Sequence, residues 1–280
     1  MHSTFKQVIV VGDPEKERVR AAIDRALPII SDRADVVDVD LEGSGPLEPD
    51  AIDLVLVFGG DGALLKTARR FKPPLPPVCG INLGKLGFLT GVRDDRLEQA
   101  LPEVLAGKYT ITASMMLDCV ARRAGEDIFA SRAANDVVIS RGALSRIVPV
   151  DLLIDGEKVA AYNGDGFIVA TPLGSTAHSL SAGGPIVETE IDAMILTPIC
   201  PHTLSNRPLV VPSHRRIEMV IGDGSDEMAV TVDGQVFQPL QPGDIIAVAP
   251  AEERLRLVRA AGYSYFRTIR DKLGWRGHLA

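Results

Sequence analysis

The strongest chemical signal in this sequence is one acidic side chain inside a glycine-rich turn. Leu54-Val55-Leu56-Val57-Phe58 is followed at once by Gly59-Gly60-Asp61-Gly62, and Ala63 to Phe71 then has helical spacing. A turn at the carboxyl end of a strand is where an open α/β sheet binds its ligands. Glycines let backbone N–H groups come close to phosphate oxygens, and the start of the following helix favours an anion. Gly59, Gly60 and Gly62 are therefore candidate phosphate contacts. Asp61 repels phosphate, so its chemical roles are to hold a divalent cation or to take the proton of a hydroxyl nucleophile. The bland alternative is a tight turn with Asp61 capping the helix. Lys66, five residues on, either reaches back to a phosphate or is solvated surface. Neither G-x-x-x-x-G-K-[ST] nor G-x-G-x-x-G occurs, so the two commonest nucleotide fingerprints are excluded.

Three further stretches carry polar chemistry. Gly80, Gly84, Gly87 and Gly91 space a second backbone-lined loop after a strand; the alternative is a loop that packs the two halves together. Asn135-Asp136 stands just before a strand, and an amide beside a carboxylate offers donors and acceptors suited to a ribose or an adenine edge. It is also a common turn pair. The longest stretch runs from Tyr162 to Pro185, where a β-run leads through Thr171-Pro-Leu-Gly174 into Ser175-Thr-Ala-His-Ser179. Hydroxyls at a helix start either cap it or bind a ligand. Ser175 with His178 invites a hydrolase reading, but the G-x-S-x-G elbow is missing. The five histidines show no metal-type spacing, so His178 reads as a stacking or hydrogen-bonding ring.

The elements that must position these residues have two grammars. The first hundred residues alternate strand and helix signals: strands at 6–11, 36–41, 53–58 and 78–83, helices at 14–30, 63–71 and 97–105. That alternation predicts a doubly wound, mostly parallel sheet. After Lys108, strand-like runs follow one another at 109–120, 136–140, 150–154, 167–170, 191–197, 216–221, 228–232 and 244–248, with Asp-Gly pairs at 155–156, 223–224 and 233–234 supplying hairpin turns. One helix is predicted from Ser175 to about Gly183, and a last one from Ser264 to Leu273 with Ser264 as cap. Composition excludes other classes. At 46% hydrophobic and 24% charged, the 280-residue chain is globular rather than fibrous or disordered. A net charge of −7 argues against nucleic-acid binding. No run of 18 apolar residues is present, which argues against membrane partners. The chain enters a strand at Phe5 without a leader-like segment, and its three scattered cysteines read as reduced, mostly buried thiols; both point to the cytoplasm.

Taken together, the motifs resemble those of bacterial NAD kinases. Gly59-Gly-Asp-Gly62, Asn82 to Leu89, Asn135-Asp136, Asp165 to Pro185, Leu196 to Pro212, Val232-Asp-Gly-Gln235 and Tyr263 to Trp275 occur in that family's order and spacing. The likeness covers nearly the whole chain, from about Ile9 to Trp275. It implies transfer of the γ-phosphoryl of ATP to the 2′-hydroxyl of the adenosine ribose of NAD, giving NADP and ADP. It implies an α/β N-terminal domain over 1–107, completed by the C-terminal segment 258–280, and a β-rich NAD-binding domain over 108–257, with the active site between them. It also implies a divalent cation, taken as magnesium, and a homodimer or homotetramer.

Carried over by position, Asp61 is the catalytic aspartate. Gly62 and Lys66 lie beside the bound NAD, Asn135 and Asp136 hold adenine and ribose, and Arg146 meets the ligand's phosphates. Asn163 is a further contact to NAD, and Asp165 meets the nicotinamide end. Thr176, Ala177, His178, Ser179, Leu180 and Ser181 wrap NAD, and Gln235 is a late polar contact. Ala63 and Leu173 stand where the family often has Thr, His178 where Tyr is common, and Asn163 where some members carry Arg. None of these departures touches Asp61; they bear on affinity and on NAD-versus-NADH choice. Two other classes stay open on the residues alone. Diacylglycerol kinases and 6-phosphofructokinases share a G-G-D-G-type loop, and a non-catalytic nucleotide sensor could keep the pocket.

Overall fold

A computed structural model describes residues 4–43, 45, 47, 52–84, 87–142, 148–203, 205–223 and 227–275. The chain forms two compact units, residues 1–113 with 255–280, and residues 114–254.

The first unit alternates strand and helix: β1 (Gln7–Gly12), α1 (Glu17–Ser31), β2 (Asp35–Asp40), β3 (Leu54–Phe58), α2 (Asp61–Arg70), β4 (Val78–Asn82), the short β5 (Val92–Arg93) and α3 (Leu97–Leu105). Every strand pairing here is parallel, and the order β2-β1-β3-β4 reverses direction between β1 and β3. Strands β3 and β4 are buried along their whole length, which is why each reads as an unbroken apolar run. Alternate residues divide the two faces. Val8, Val10, Leu54, Leu56, Cys79 and Ile81 share a core with α1 and α3. On the opposite face Leu64 of α2 lies against Gly80. Each large side chain buried in this way contributes about 2 kcal/mol.

The second unit is built from β6 (Tyr109–Arg123), which enters it from the first, then β7 (Glu126–Ala133), β8 (Asp136–Arg141), β9 (Val148–Ile154), β10 (Glu157–Gly164), β11 (Gly166–Ala170) and the single helical turn α4 (His178–Ser181). It continues through β12 (Ala193–Ile199), β13 (Leu209–Pro212), β14 (Ile217–Ile221), β15 (Met228–Val232), β16 (Val236–Leu240) and β17 (Ile245–Ala260). One antiparallel sheet has the order β13-β12-β11-β8-β15-β16; the other has β10-β9-β14-β17, with β6 joined to β17 and β7 to β6. Alternate residues of both sheets (Val137, Ile139, Phe167 and Val169 against Leu152, Met219 and Ile246) fill the core between them. The chain leaves through β17, whose Leu257 pairs in parallel with Val78 of β4. It ends in α5 (Tyr265–Leu273), where the Ser264 hydroxyl accepts from the Arg267 N–H at 3.3 Å, as the sequence predicts.

Two hairpins turn at the expected Asp-Gly pairs. Asp155 and Gly156 have φ of 52° and 82°, Asp233 and Gly234 have 50° and 63°, and both turns need positive φ at the two central residues. Gly224 lies outside the described residues. Two expectations are corrected. The helix predicted from Ser175 to Gly183 is a 3-10 turn, Leu173–Thr176, followed by α4, with Ala177 between them at φ −102° and ψ −127°. Strands β7, β10, β13 and β16 were not expected; β10, β13 and β16 are sheet edges, whose water-facing residues break the apolar signal. The thiols are mostly buried, as expected: Cys79 and Cys119 are buried and Cys200 is exposed.

Candidate active site

In the first unit the chemistry gathers at the carboxyl ends of β1, β3 and β4, where the strand order reverses. A cavity of about 660 Å³ opens there, lined among others by Asp13, Lys16, Arg18, Gly59, Gly60 and Asn82. That volume suits a nucleotide-sized ligand. Lys16 and Asp13 form an ion pair at 2.7 Å. The Lys16 ammonium and the Glu15 N–H hold the Asp13 carboxyl below the usual range.

Asp61 is the first residue of α2, but it does not cap it. The N-cap is Gly60, and no side chain caps that helix. The carboxylate turns instead to the second glycine loop: Oδ2 accepts from the Phe88 N–H at 2.8 Å and Oδ1 from the Leu89 N–H at 2.9 Å. This clamp explains the spacing of that loop. A Cβ on Gly87 would stand 2.1 Å from Asp61 Oδ1, so the approach is open only to glycine. Two backbone donors on one carboxylate fix its orientation and leave its other lone pairs for a ligand. Gly62 is exposed at the start of the same helix. Lys66 is exposed; a Cβ on Gly43 would be 3.3 Å from its Nζ, and its charge adds to those that hold the Asp13 carboxyl low.

In the second unit the candidates meet at one end of the six-stranded sheet. Asp136 opens β8 and pairs with Ala170, the last residue of β11, while Val137 pairs with Val232 at the end of β15. Asn135, Asp136, the segment from Thr171 to Ser181 and the turn carrying Gln235 are thereby neighbours. The segment after β11 is pinned by its own hydroxyls. Thr171 donates to the Ala134 carbonyl at 2.6 Å and accepts from the Gly174 N–H at 3.0 Å. Ser175 donates to the Pro172 carbonyl at 2.6 Å and accepts from the Val187 N–H at 3.1 Å. The Ser179 hydroxyl lies 2.9 Å from Thr197 Oγ1, and Ser179 is fully buried. The hydroxyls of Ser175 and Ser179 thus serve the fold, which is neither of the roles weighed from sequence. His178 and Ser181 are exposed, while Thr176, Ala177 and Leu180 are half-buried. A Cβ on Gly174 would lie 2.0 Å from the Asn135 carbonyl oxygen, so glycine is needed where the segment crosses that residue.

Asp233 organises this end. Its carboxylate accepts from the N–H groups of Ala134, Asn135 and Asp136 at 3.1, 2.7 and 3.2 Å. Asp136 is only 4% exposed. Burial and the neighbouring Asp233 charge push its carboxyl up to about 7, against the pull of the His178 backbone N–H.

Asn163 and Asp165 lie elsewhere. Asp165 precedes β11 and Thr171 follows it, so they are separated by the five residues of that strand, roughly 16 Å at about 3.3 Å per residue. Arg141 Nε donates to Asp165 at 2.8 Å. Arg146 lies outside the described residues. Sequence reasoning missed Asp13, Lys16 and Arg18, whose loop and helix start carry no motif. It also missed the amides of Phe88 and Leu89 and the role of Asp233. The last stood in plain view as a hairpin Asp-Gly, where the turn explained the residue without exposing its second task.

Among the described residues, no cluster of three or more His, Cys, Asp or Glu could hold a metal ion unaided. A magnesium ion fits such a site when phosphates supply most of its oxygens, because it keeps waters and needs one or two carboxylates. Asp13 and Glu17 are carboxylates that line the cavity, and Asp61 stands within the glycine turn.

Comparison with known proteins agrees with this geometry in both units. The ATP-NAD kinase N-terminal domain matches residues 7–109 and the ATP-NAD kinase C-terminal domain residues 134–260. The NAD kinase of Rhodopirellula baltica is 39% identical over 274 residues, covering 98% of this chain and 88% of that protein. The NAD kinase of Geobacter metallireducens is 43% identical over 227 residues, 81% of this chain and 80% of that one. Among solved structures, yeast NADH kinase complexed with NADH superposes with a TM-score of 0.88 at 28% identity, covering 99% of this chain and 90% of that one. An NAD kinase from Archaeoglobus fulgidus in complex with ATP gives 0.76 at 26%, covering 97% and 100%. With both domains matched in order and close relatives alike over most of their length, the chain belongs to the NAD kinase family.

Proposed function

We infer that the protein transfers the γ-phosphoryl of ATP to the 2′-hydroxyl of the adenosine ribose of NAD, giving NADP and ADP. The observation that carries the reading is the Asp61 carboxylate, oriented by two backbone amides beside a glycine turn at the sheet's switch point. A ribose hydroxyl is a poor nucleophile at neutral pH, and a carboxylate within hydrogen-bond reach accepts its proton as transfer proceeds. The O2′–Pγ bond forms, the bond from Pγ to the β,γ-bridging oxygen breaks, ADP leaves with that electron pair, and the proton ends on Asp61. Gly59, Gly60 and Gly62 offer backbone to the donor phosphates, and Lys16 and Arg18 add positive charge on the same cavity. Asp13 or Asp61 would reach a magnesium ion bound with ATP, which would supply charge neutralisation on the phosphates.

In the second unit Asn135 and Asp136 take adenine and ribose, with Thr176, Ala177, His178, Leu180, Ser181 and Gln235 around them; Ser179 contributes backbone only. Asn163 and Asp165 serve the nicotinamide end. The length of β11 between the two groups supports this division, because the two ends of an extended dinucleotide are separated on the same scale. Lys66 and Arg146 complete the reading as contacts to NAD or its phosphates. We take the protein to work in the cytoplasm as a homodimer or homotetramer; no helix among the described residues is long and apolar enough to cross a membrane.

The test is an acceptor panel with the purified protein and Mg-ATP. NADP should form with NAD, and neither diacylglycerol nor fructose 6-phosphate should be phosphorylated. No NADP under any of several divalent ions would sink the reading. Turnover lost in EDTA and restored by magnesium checks the cation, and gel filtration checks the assembly.

A further inference from the structure

Arg259, near the end of β17, is 3% exposed. Its Nη1 donates to the Thr90 carbonyl at 3.0 Å and its Nη2 to the Phe88 carbonyl at 3.1 Å. The guanidinium carbon lies 4.3 Å from the centre of the Tyr263 ring, and Nε has no hydrogen-bond partner among the described residues. The guanidinium satisfies two backbone carbonyls, but a neutral donor could serve them without the cost of burying a charge. Packing alone therefore gives no reason for a guanidinium here.

The reason lies on the far side of the loop. The Phe88–Leu89 peptide group has its carbonyl on Arg259 and its N–H on Asp61 Oδ1. A buried cation, one peptide dipole and a carboxylate thus stand in series, and such a chain polarises each member. We propose that Arg259 is a positioning residue for phosphoryl transfer. It fixes the Phe88–Leu89 peptide and strengthens the clamp that aims Asp61, acting through the backbone without touching substrate. The loop is held close to β17 as well: a Cβ on Gly91 would stand 2.2 Å from the Val258 carbonyl oxygen. The Tyr263 hydroxyl also donates to the Phe88 carbonyl, at 3.4 Å, but that contact is longer and carries no charge.

The proposal rests on Asp61 being the base, and a double-mutant cycle separates the two claims. In the full chain, Arg259→Met should lower kcat about ten- to a hundredfold, the scale on which misplacement of a reacting group acts. The KM values for NAD and ATP should stay within about twofold, since uniform binding is untouched. Arg259→Lys, which keeps the charge, should recover most of the loss. In an Asp61→Asn background Arg259→Met should cost nothing further. In 15N–1H TROSY spectra the Leu89 amide proton should move upfield in Arg259→Met. Should that variant fail to fold, Arg259→Gln, which keeps a donor but no charge, is read by the same resonance. An unmoved Leu89 amide, wild-type kcat in folded Arg259→Met, or a full additional loss in the Asp61→Asn background would overturn the proposal. High turnover in Asp61→Asn alone would instead overturn the assignment of the base.

Discussion

Asp61 and Asp136 both stand at the ends of strands, and the two units hold them by opposite means. In the first unit the carboxylate is half-buried and meets two N–H donors from a glycine loop. In the second it is buried beside another carboxylate, which itself has taken three backbone amides and leaves Asp136 the His178 N–H. In the proposed reaction the first arrangement presents an oriented acceptor to the reacting hydroxyl. The second keeps a group with a pKa of about 7, able to donate or to accept, as the proposed contact with a purine nucleoside requires. Chemistry is assigned to the side where backbone does the holding, and recognition to the side where side chains crowd.

The largest effect that sharpens this contrast, after loss of Asp61 itself, is expected at Gly87. A Cβ there would collide with the Asp61 carboxylate at 2.1 Å. Gly87→Ala should therefore cost about a hundredfold in kcat, with NAD binding in the second unit nearly unchanged. A loss confined to KM, measured by steady-state kinetics, would break the assignment of chemistry to the first unit.

The next effect belongs to the second unit and is read as stability. The Asp136 carboxyl is raised from 3.8 to about 7 on folding, so over that interval the native state holds a proton that the unfolded chain has released. Its contribution is complete below the unfolded value and drains away as pH rises toward 7. Between pH 5.5 and 7.5 the loss is about 2 kcal/mol. Thermal melts across that range should show it, Asp136→Asn should flatten the slope, and Asp61→Asn should leave it in place. An identical slope in Asp136→Asn would mean that another group is responsible.

The smallest effect is at His178, which is exposed beside Asp136's end of the sheet. His178→Tyr should shift KM for NAD by no more than about threefold, the worth of modest extra stacking, and leave kcat alone. A change in kcat measured for this variant would blur the division between the two regions.

Much of the fold was legible because buried parallel strands announce themselves. β3 and β4 are apolar at every position, and the Gly59 to Gly62 turn follows β3 without a gap. Edge strands were harder: in β16 Phe237 is 68% exposed, and the segment reads as loop. The hairpin at Ala124-Gly125 also has positive φ at both residues, but alanine gives no warning of it. Within the candidate site, Asp61, Asn135 and Asp136 stood out by type and neighbours. What the sequence hid was reach. The Asp61–Leu89 bond spans 28 positions and the Asn135–Asp233 bond 98, and neither loop length nor residue type foretells which backbone amide a carboxylate will find. Arg259 was hidden for a related reason, since an arginine near a strand's end is ordinarily read as surface.

The most direct test of the central claim is a single-turnover assay of Asp61→Asn with radiolabelled ATP, magnesium and NAD, alongside NAD binding by calorimetry. An asparagine keeps the size of the side chain but loses the proton acceptor. The account predicts a loss of about a thousandfold in the rate of NADP formation, with NAD affinity within about threefold of the wild type. Transfer within tenfold of the wild-type rate would contradict it.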